Sequence, residues 1–445
     1  MFRTLIWGFQ YDLGQKVILE LKKNFNVVFT INNHDEKNLD LQKTCSGILN
    51  FNYNINQASL KNFQNFKDKY LHTFQIMMSS RKQNDKSSSE VLNEFTILYY
   101  YFFDLLKKKK IELSIFSALP HQGPEYIIYQ LCKEMNIKTL FCTASILPNK
   151  FWIAKTVEDF GKFLDIPKIN SSEINLNRKA YTSKMDQRFS EIGNKKKLLD
   201  FKIEKRIFKK ILLIFLKKLK LIQRKDLNEE YLLNLKKITK SDKIFSEILK
   251  SKKKLIYFPL SFQPELSTSG LGEGYKDQLF AIESLASIMD DNWLILIKEN
   301  PLQTHFQRGE MFFKRLKNIR NVVIVDRMIK SEYLIKNTKI TATIAGNAGW
   351  EAVLDSKKCL FFGNAWYQSL HGCMKFNQDT TLHEIEKFST LEFDKMKFEK
   401  DLSNLLSKMG TGINEPFYKV FVDDYDLEKN AIKVCSYLSK VAYTK

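Results

Sequence analysis

Short apolar runs, each followed by a longer stretch with apolar residues at helical spacing, recur along this chain before residue 160 and again after residue 251. That alternation constrains the fold more than any other feature, because successive strand-then-helix units close into a parallel sheet covered by helices. "RTLIWGF", "FNVVFTI", "LSIFSAL" and "IKTLFCTA" read as strands of a first set, with "DLGQKVILELKKN" and "GPEYIIYQLCKEMN" as helices between them. "KKLIYFPL", "NWLILIKENP", "NVVIVD", "KITATIA" and "KKCLFFG" read as strands of a second set, whose first helix is "GYKDQLFAIESLASIM". A chain of 445 residues also exceeds what one hydrophobic core sustains. The expectation is an α/β protein with a Rossmann-like domain over 1–160, a basic helical linker or insertion over 161–250 and a second Rossmann-like domain over 251–425. A terminal helix over 426–445 then packs back on the first domain. Two such parallel sheets facing each other place ligands in the cleft outside the carboxyl ends of their strands.

The segment 195–225 carries thirteen basic and two acidic residues, with Ile203, Ile207, Ile211 and Phe215 at helical spacing. Two readings stand side by side: a helix lying on an anionic membrane face, or an inter-domain helix with a solvated lysine face. Over the whole chain 71 Lys and Arg against 50 Asp and Glu give a formal net charge of +21, which attracts anionic partners. Lysine supplies most of it and no arginine-and-aromatic surface motif accompanies it, so nucleic acid ranks last among those partners. The six cysteines show no CxxC spacing and read as reduced, mostly buried thiols. "ILLIFL" at 211–216 falls far short of the ~20 apolar residues of a spanning helix, and "MFRTLIWGFQ" lacks the features of a secretory signal. These features predict a cytoplasmic protein, peripheral at most on the inner face of the membrane. The polar, serine-rich stretch 79–90 reads as a mobile loop.

Three polar tips follow strands of the second set. In "ATIAGNAGWEAVL", Gly346 permits a sharp turn, Asn347 suits a helix N-cap, and Ala348 and Gly349 leave the first helical turn without bulky side chains. Bare amides at the positive end of a helix suit phosphate or carboxylate, and Glu351 falls too late for a reciprocal capping bond, so its carboxylate is available for a ligand hydroxyl. In "YFPLSFQPELSTSG", Gln263, Glu265, Ser267 and Thr268 crowd a loop and suit sugar or ribose hydroxyls; a plain hydrophilic loop is the alternative. In "IKENP", Lys298 offsets phosphate charge while Asn300 and Pro301 shape the turn. Within the first set, His121 of "LPHQGPEY" follows a strand and faces the same cleft, with Glu125 one helical turn on. That pair suits an acceptor-orienting or general-base role, against the alternative of a structural cap.

"YFPLSFQPELSTSG", "YKDQLFAIESLA", "WLILIKENP" and "AGNAGWEAVLDSKKCLFFGNAWY", in this order and spacing, resemble the bacterial capsule polysaccharide biosynthesis proteins that include the capsular Kdo transferases. "ALPHQGPEYIIYQLCKEMNIKTLF" looks like that family's Pro-His segment. The resemblance covers about 252–370 well and 113–150 thinly, and it is absent from the basic insertion. It implies a GT-B glycosyltransferase: a nucleotide-sugar, commonly a CMP-linked acidic sugar, held by the second domain, a glycan or lipid-linked acceptor met by the first, and no obligatory metal or other cofactor. On that reading His121, Glu125 and Glu265 carry the catalytic work. Gln263, Ser267, Thr268, Lys298, Asn300, Pro301, Gly346, Asn347, Ala348, Gly349 and Glu351 hold the donor. Asn300 stands where the family has a histidine before the proline, and an asparagine neither carries charge nor transfers a proton at neutral pH. A non-catalytic glycan-binding or export-assisting protein and a nucleotide-sugar epimerase of the same architecture are the rival readings.

Overall fold

A computed structural model of the chain describes residues 1–32, 39–40, 43–44, 51–79, 86–147, 149–168, 227–422 and 425–444. The basic stretch 195–225 and residues 80–85 of the serine-rich stretch lie outside them, so both membrane and linker readings of the former lie there too.

Two parallel-dominated sheets form the molecule. The first holds β1 (Arg3–Trp7), β2 (Asn26–Asn32), β3 (Leu39–Asp40), β4 (Leu113–Phe116), β5 (Lys138–Ala144) and β6 (Lys150–Ala154). The second holds β7 (Lys254–Pro259), β8 (Trp293–Lys298), β9 (Val322–Val325), β10 (Ile340–Thr343), β11 (Lys358–Phe361) and β12 (Cys373–Lys375). A last short strand, β13 (Gly410–Thr411), rejoins the first sheet antiparallel to β6, which is itself antiparallel to β5. The second sheet is parallel throughout, in the order β12-β11-β10-β7-β8-β9. Read by position within the domain this is the doubly wound order 3-2-1-4-5-6, and β3-β2-β1-β4-β5 repeats its first five places in the other sheet. Each sheet therefore has a switch point, between β1 and β4 and between β7 and β10, where consecutive connections leave to opposite sides and open a crevice.

The apolar strands form because both faces are covered. β4, β10 and β11 are buried at every position, including the small polar residues Ser114, Thr341 and Thr343, as strands covered on both faces require. Two further helices, Gln57–Met78 and Ser88–Lys108, belong to the first domain and share its core. Each begins with a reciprocal capping box, Asn56 with Ser59 and Ser87 with Glu90, so the last residues of the serine-rich stretch, Ser88 to Glu90, are helical and not loop.

The domain limits differ from the expected ones at both ends of the second domain. Helices Leu227–Ile238 and Asp242–Lys250 already pack on it, Tyr231 against Phe313 and Phe245 against Tyr333, and Thr239 bridges Ile324 at the edge of β9. The chain then returns to the first sheet at β13, before residue 426, and the helix Leu427–Tyr443 lies along Tyr11–Asn24. There Tyr443 stacks on Phe2 and Phe25, and Asn24 donates to Cys435 Sγ. The domains are joined by a shared core as well as by the chain. One buried cluster runs from the first sheet through Phe160 and Phe163 to Trp350, Trp366 and Tyr367 of the second domain. Gly161, at φ +91°, has the carbonyl of Ala365 where a side chain would begin. Gln368 donates to the Phe160 carbonyl at 2.7 Å and Asn364 to that of Val157 at 3.2 Å.

Candidate functional site in the inter-domain cleft

At the switch point of the second sheet, the loops after β7 and β10 converge on Gly346. A Cβ there would lie 2.9 Å from Thr343 Oγ1 and 3.6 Å from Ser261 Oγ. Gly346, not Asn347, is the N-cap of the helix Asn347–Leu354, and its φ of −80° needs no glycine. Crowding therefore explains the residue, and the turn does not. The first amides of a helix have no intrahelical acceptor. Gly346 N donates to Thr343 Oγ1 at 3.2 Å and Gly349 N to Gly346 O at 3.2 Å, so the amides of Asn347 and Ala348 form the open end. Asn347 is exposed and Ala348 half-buried. Gly349 is not bare towards the cleft: a Cβ would meet Tyr367 Oη and Cys359 Sγ, so this glycine lets the helix sit close on β11. Tyr367, buried, donates to the Gly346 carbonyl at 2.6 Å and turns it into the protein. Burial, followed by the neighbouring thiols of Cys359 and Cys373, pushes its phenol far up, so it stays protonated and keeps its donated bond. Glu351 is exposed on the same helix.

Lys298 ends β8, and its ammonium is taken up by Ile329 O at 3.0 Å and Ser331 Oγ at 2.7 Å. Burial lowers its pKa and the nearby Glu351 carboxylate works against that shift. It ties the loop after β9 to the sheet and stands behind the cleft surface. Asn300 is likewise engaged: Oδ1 accepts from Leu302 N at 2.9 Å in a turn, and its carbonyl accepts from Gln303 N at 3.0 Å. Pro301 is exposed beside it.

In the loop after β7, Gln263 is buried, with Oε1 receiving Arg308 Nη1 at 2.8 Å and Nε2 donating to Lys276 O at 3.1 Å. Both ends of its amide are committed inside the protein, so it does not reach a ligand. Thr268 is also fully buried, its hydroxyl on the Glu265 carbonyl at 3.2 Å. Ser267, half-buried, and Glu265, exposed, remain at the surface of the turn Leu266–Gly270. That turn rests on the first domain, where a Cβ on Gly270 would lie 2.8 Å from the Pro120 carbonyl.

His121 stands next to Pro120 on the facing wall, its side chain 33% exposed. Nδ1 lies 3.0 Å from the Leu119 carbonyl, which only accepts, so this contact assigns the proton to Nδ1 and leaves Nε2 as the proton-accepting atom of the neutral ring. Burial acts against the charged imidazole, but the Glu125 carboxylate, the Leu119 carbonyl, then Glu265 and Glu415 outweigh it, and the net shift is upward. Glu265 belongs to the second domain, so the two walls meet electrostatically here. Glu125, buried in the first turn of Gly123–Glu134, holds the Trp7 indole at 3.2 Å on one oxygen and the His121 amide at 3.2 Å on the other. It positions the histidine segment and is not itself presented to an acceptor.

The structure thus brings together His121, Glu265 and Ser267 at one end of the cleft and Gly346, Asn347 and Ala348 at the switch point, and turns Gln263, Thr268, Gly349, Lys298 and Glu125 inward. Sequence reasoning missed Tyr367, Thr343 and the buried pair of Glu299 with Arg308. Glu299 sits inside "IKENP", where a carboxylate at the end of a buried strand calls for a cation. Among the described residues no group of His, Cys, Asp and Glu is arranged to hold a metal ion, and no helix is long and apolar enough to cross a membrane. Five described cysteines are free thiols, all but Cys373 buried.

No curated protein matches the chain. Among solved structures it is similar to the beta Kdo 2,7 transferase KpsC of Thermosulfurimonas dismutans, with 10% identity over 81% of this chain and 91% of that one and a TM-score of 0.33. UDP-GlcNAc 2-epimerase of Methanocaldococcus jannaschii gives 12% identity over 92% and 99%, with a TM-score of 0.27. A UDP-forming alpha,alpha-trehalose-phosphate synthase of Burkholderia xenovorans gives 9% over 100% and 99%, at 0.31. Superpositions this loose decide nothing about chemistry. Residues 241–418, which contain the second sheet and its switch point, match the family of capsule polysaccharide biosynthesis proteins.

Proposed function

We propose that the chain is a metal-independent GT-B glycosyltransferase of surface polysaccharide synthesis, moving a sugar from a nucleotide donor, CMP-linked by preference, to a glycan or lipid-linked acceptor. The observation that carries this reading is the pair of open amides at Asn347 and Ala348, set at the switch point of a sheet that lies within the family match, in a domain whose β7 loop rests on Pro120 and brings Glu265 near His121. The donor phosphate meets those amides and the helix dipole. As the anomeric C–O bond breaks, the phosphate leaves with the bonding electrons and the amides stabilise its charge. His121 Nε2 takes the proton of the acceptor hydroxyl as its oxygen bonds to the anomeric carbon. Glu265 holds donor or acceptor hydroxyls near the imidazole. Lys298 supplies positive field from behind the surface.

Titration with CMP and UDP, followed by incubation with CMP- and UDP-linked sugars, tests this directly. Transfer or hydrolysis of the donor supports it. An isomerised donor identifies an epimerase, and binding without turnover a glycan-handling accessory protein; either outcome sinks the proposal.

A further inference from the structure

The least exposed ion pair among the described residues lies beneath the cleft floor. Arg308 and Glu299 have side-chain exposures of 0% and 1% and meet at 2.7 Å, Nε to Oε2. All five guanidinium N–H groups are used. Nη1 donates to Gln263 Oε1 at 2.8 Å and to Gln307 O at 3.2 Å, and Nη2 to Ser261 O at 3.4 Å and Glu299 Oε1 at 3.5 Å. Two of these acceptors belong to the loop after β7 and two to the segment after β8. A second link runs parallel to the first, since Gln303 Oε1 accepts from Gln263 N at 2.9 Å. Both loops also touch the first domain: the turn ending at Gly270 rests on Pro120, and Gln307 Nε2 donates to Ser79 Oγ at 2.6 Å.

We infer that Arg308 is a positioning residue that fastens these two loops into one rigid cleft wall, so that both first-domain contacts form and break together when the cleft opens. A planar fork with five fixed donors can do this, and a lysine with three donors on one atom cannot. Glu299 neutralises the guanidinium, so the clamp adds no net charge under an anionic ligand. The effect on nucleotide affinity rests on the donor-site reading above; the mechanical coupling does not.

Hydrogen exchange on the full chain decides it. Arg308→Lys keeps a cation beside Glu299 and loses the fork. Exchange is expected to rise at least tenfold in 261–270 and in 299–307 together, with β7 and β8 unchanged. Arg315→Lys, the same change at an exposed pair with Glu283 and Asp277, is expected to leave both loops as they were. Gln263→Met, which removes one spoke and keeps the ion pair, serves should the lysine variant fold poorly, and the same joint rise is expected. A rise confined to one loop, or none, overturns the clamp. CMP affinity is expected to fall about tenfold in Arg308→Lys and not in Arg315→Lys, and equal affinity in both overturns the positioning role. Absence of CMP binding by the unmodified protein counts against the donor-site reading, and the exchange experiment alone then decides for or against the clamp.

Discussion

His121 is the residue whose chemistry the two domains set jointly. Its pKa is raised above the ordinary ~6.5 by carboxylates from three segments, Glu125, Glu265 and Glu415. Since the neutral ring is the base, activity is expected to fall as pH drops through that raised value, with the acid limb of kcat/KM lying above pH ~6.5. Glu265→Gln removes one of the charges and is expected to move the limb to lower pH; an unmoved limb separates Glu265 from the histidine. The stability term has the opposite sense. A folded-state pKa above the unfolded one stabilises fully below pH ~6.5 and is lost as pH rises through the folded value. The unfolding free energy lost in His121→Gln is therefore expected to be larger at pH 5.5 than at pH 8.5. The histidine was visible in the sequence because it follows a strand. Its tautomer was not, since that depends on where the Leu119 carbonyl points.

Gly349 makes the same point about packing. In the sequence it reads as space for a ligand, whereas the structure gives that space to Tyr367 and Cys359. Gly349→Ala is expected to destabilise by ~1–3 kcal/mol through overpacking, read as a lowered urea midpoint. Tyr367→Phe in the same chain is expected to recover part of it by removing Oη. Full stability of Gly349→Ala alone would contradict the packing role.

At the scale of elements, strands were legible and loop interiors were not. β7 and β8 carry the continuous apolar runs Leu255–Phe258 and Trp293–Ile297, while β10 and β11 are shorter β-rich stretches buried at every position. The helices Gln57–Met78 and Ser88–Lys108 escaped notice although Asn56 with Ser59 and Ser87 with Glu90 mark their starts, because polar and apolar residues mix along both. The polar residues of the β7 loop could not be sorted by type. Gln263 and Thr268 look like ligand residues in the sequence, and only the position of Arg308, forty-five residues on from Gln263, draws the glutamine inward. The turn Leu266–Gly270 offers a test at this scale. Gly270→Ala places a methyl 2.8 Å from the Pro120 carbonyl and 2.7 Å from Leu266 Cδ1. The turn is expected to lift from the first domain, raising exchange in 265–272 and weakening the Glu265 effect on the His121 profile. Unchanged exchange would mean the turn absorbs the methyl without moving.

For the molecule as a whole, the alternation of runs predicts two Rossmann-like domains and the last helical stretch predicts a return to the first of them, which the helix Leu427–Tyr443 makes; the short strand β13 ahead of it is too brief to read from the sequence. β13 and the helix Leu427–Tyr443 return to the first sheet after the second domain is complete, so the first domain is built from both ends of the described chain. In that helix Ala431, Val434, Leu438 and Val441 are fully buried, and Asn430 exchanges hydrogen bonds with Ile413 at 2.8 Å in each direction. The terminal helix packs on Tyr11–Asn24, β5 and β13, so loosening it exposes the core of the first domain. Leu438→Ala is expected to cost ~2–5 kcal/mol, a large part of the ~5–15 kcal/mol that stabilises a domain. The loss belongs to the first domain, so exchange in β1, β4 and β5 is expected to rise before that in β7 and β10. Because one apolar cluster runs through Phe160, Trp350 and Trp366, the second sheet follows at modestly higher denaturant instead of surviving alone. Two transitions far apart in denaturant would instead make the domains independent, and would remove the mechanical basis for a cleft whose walls are set by both.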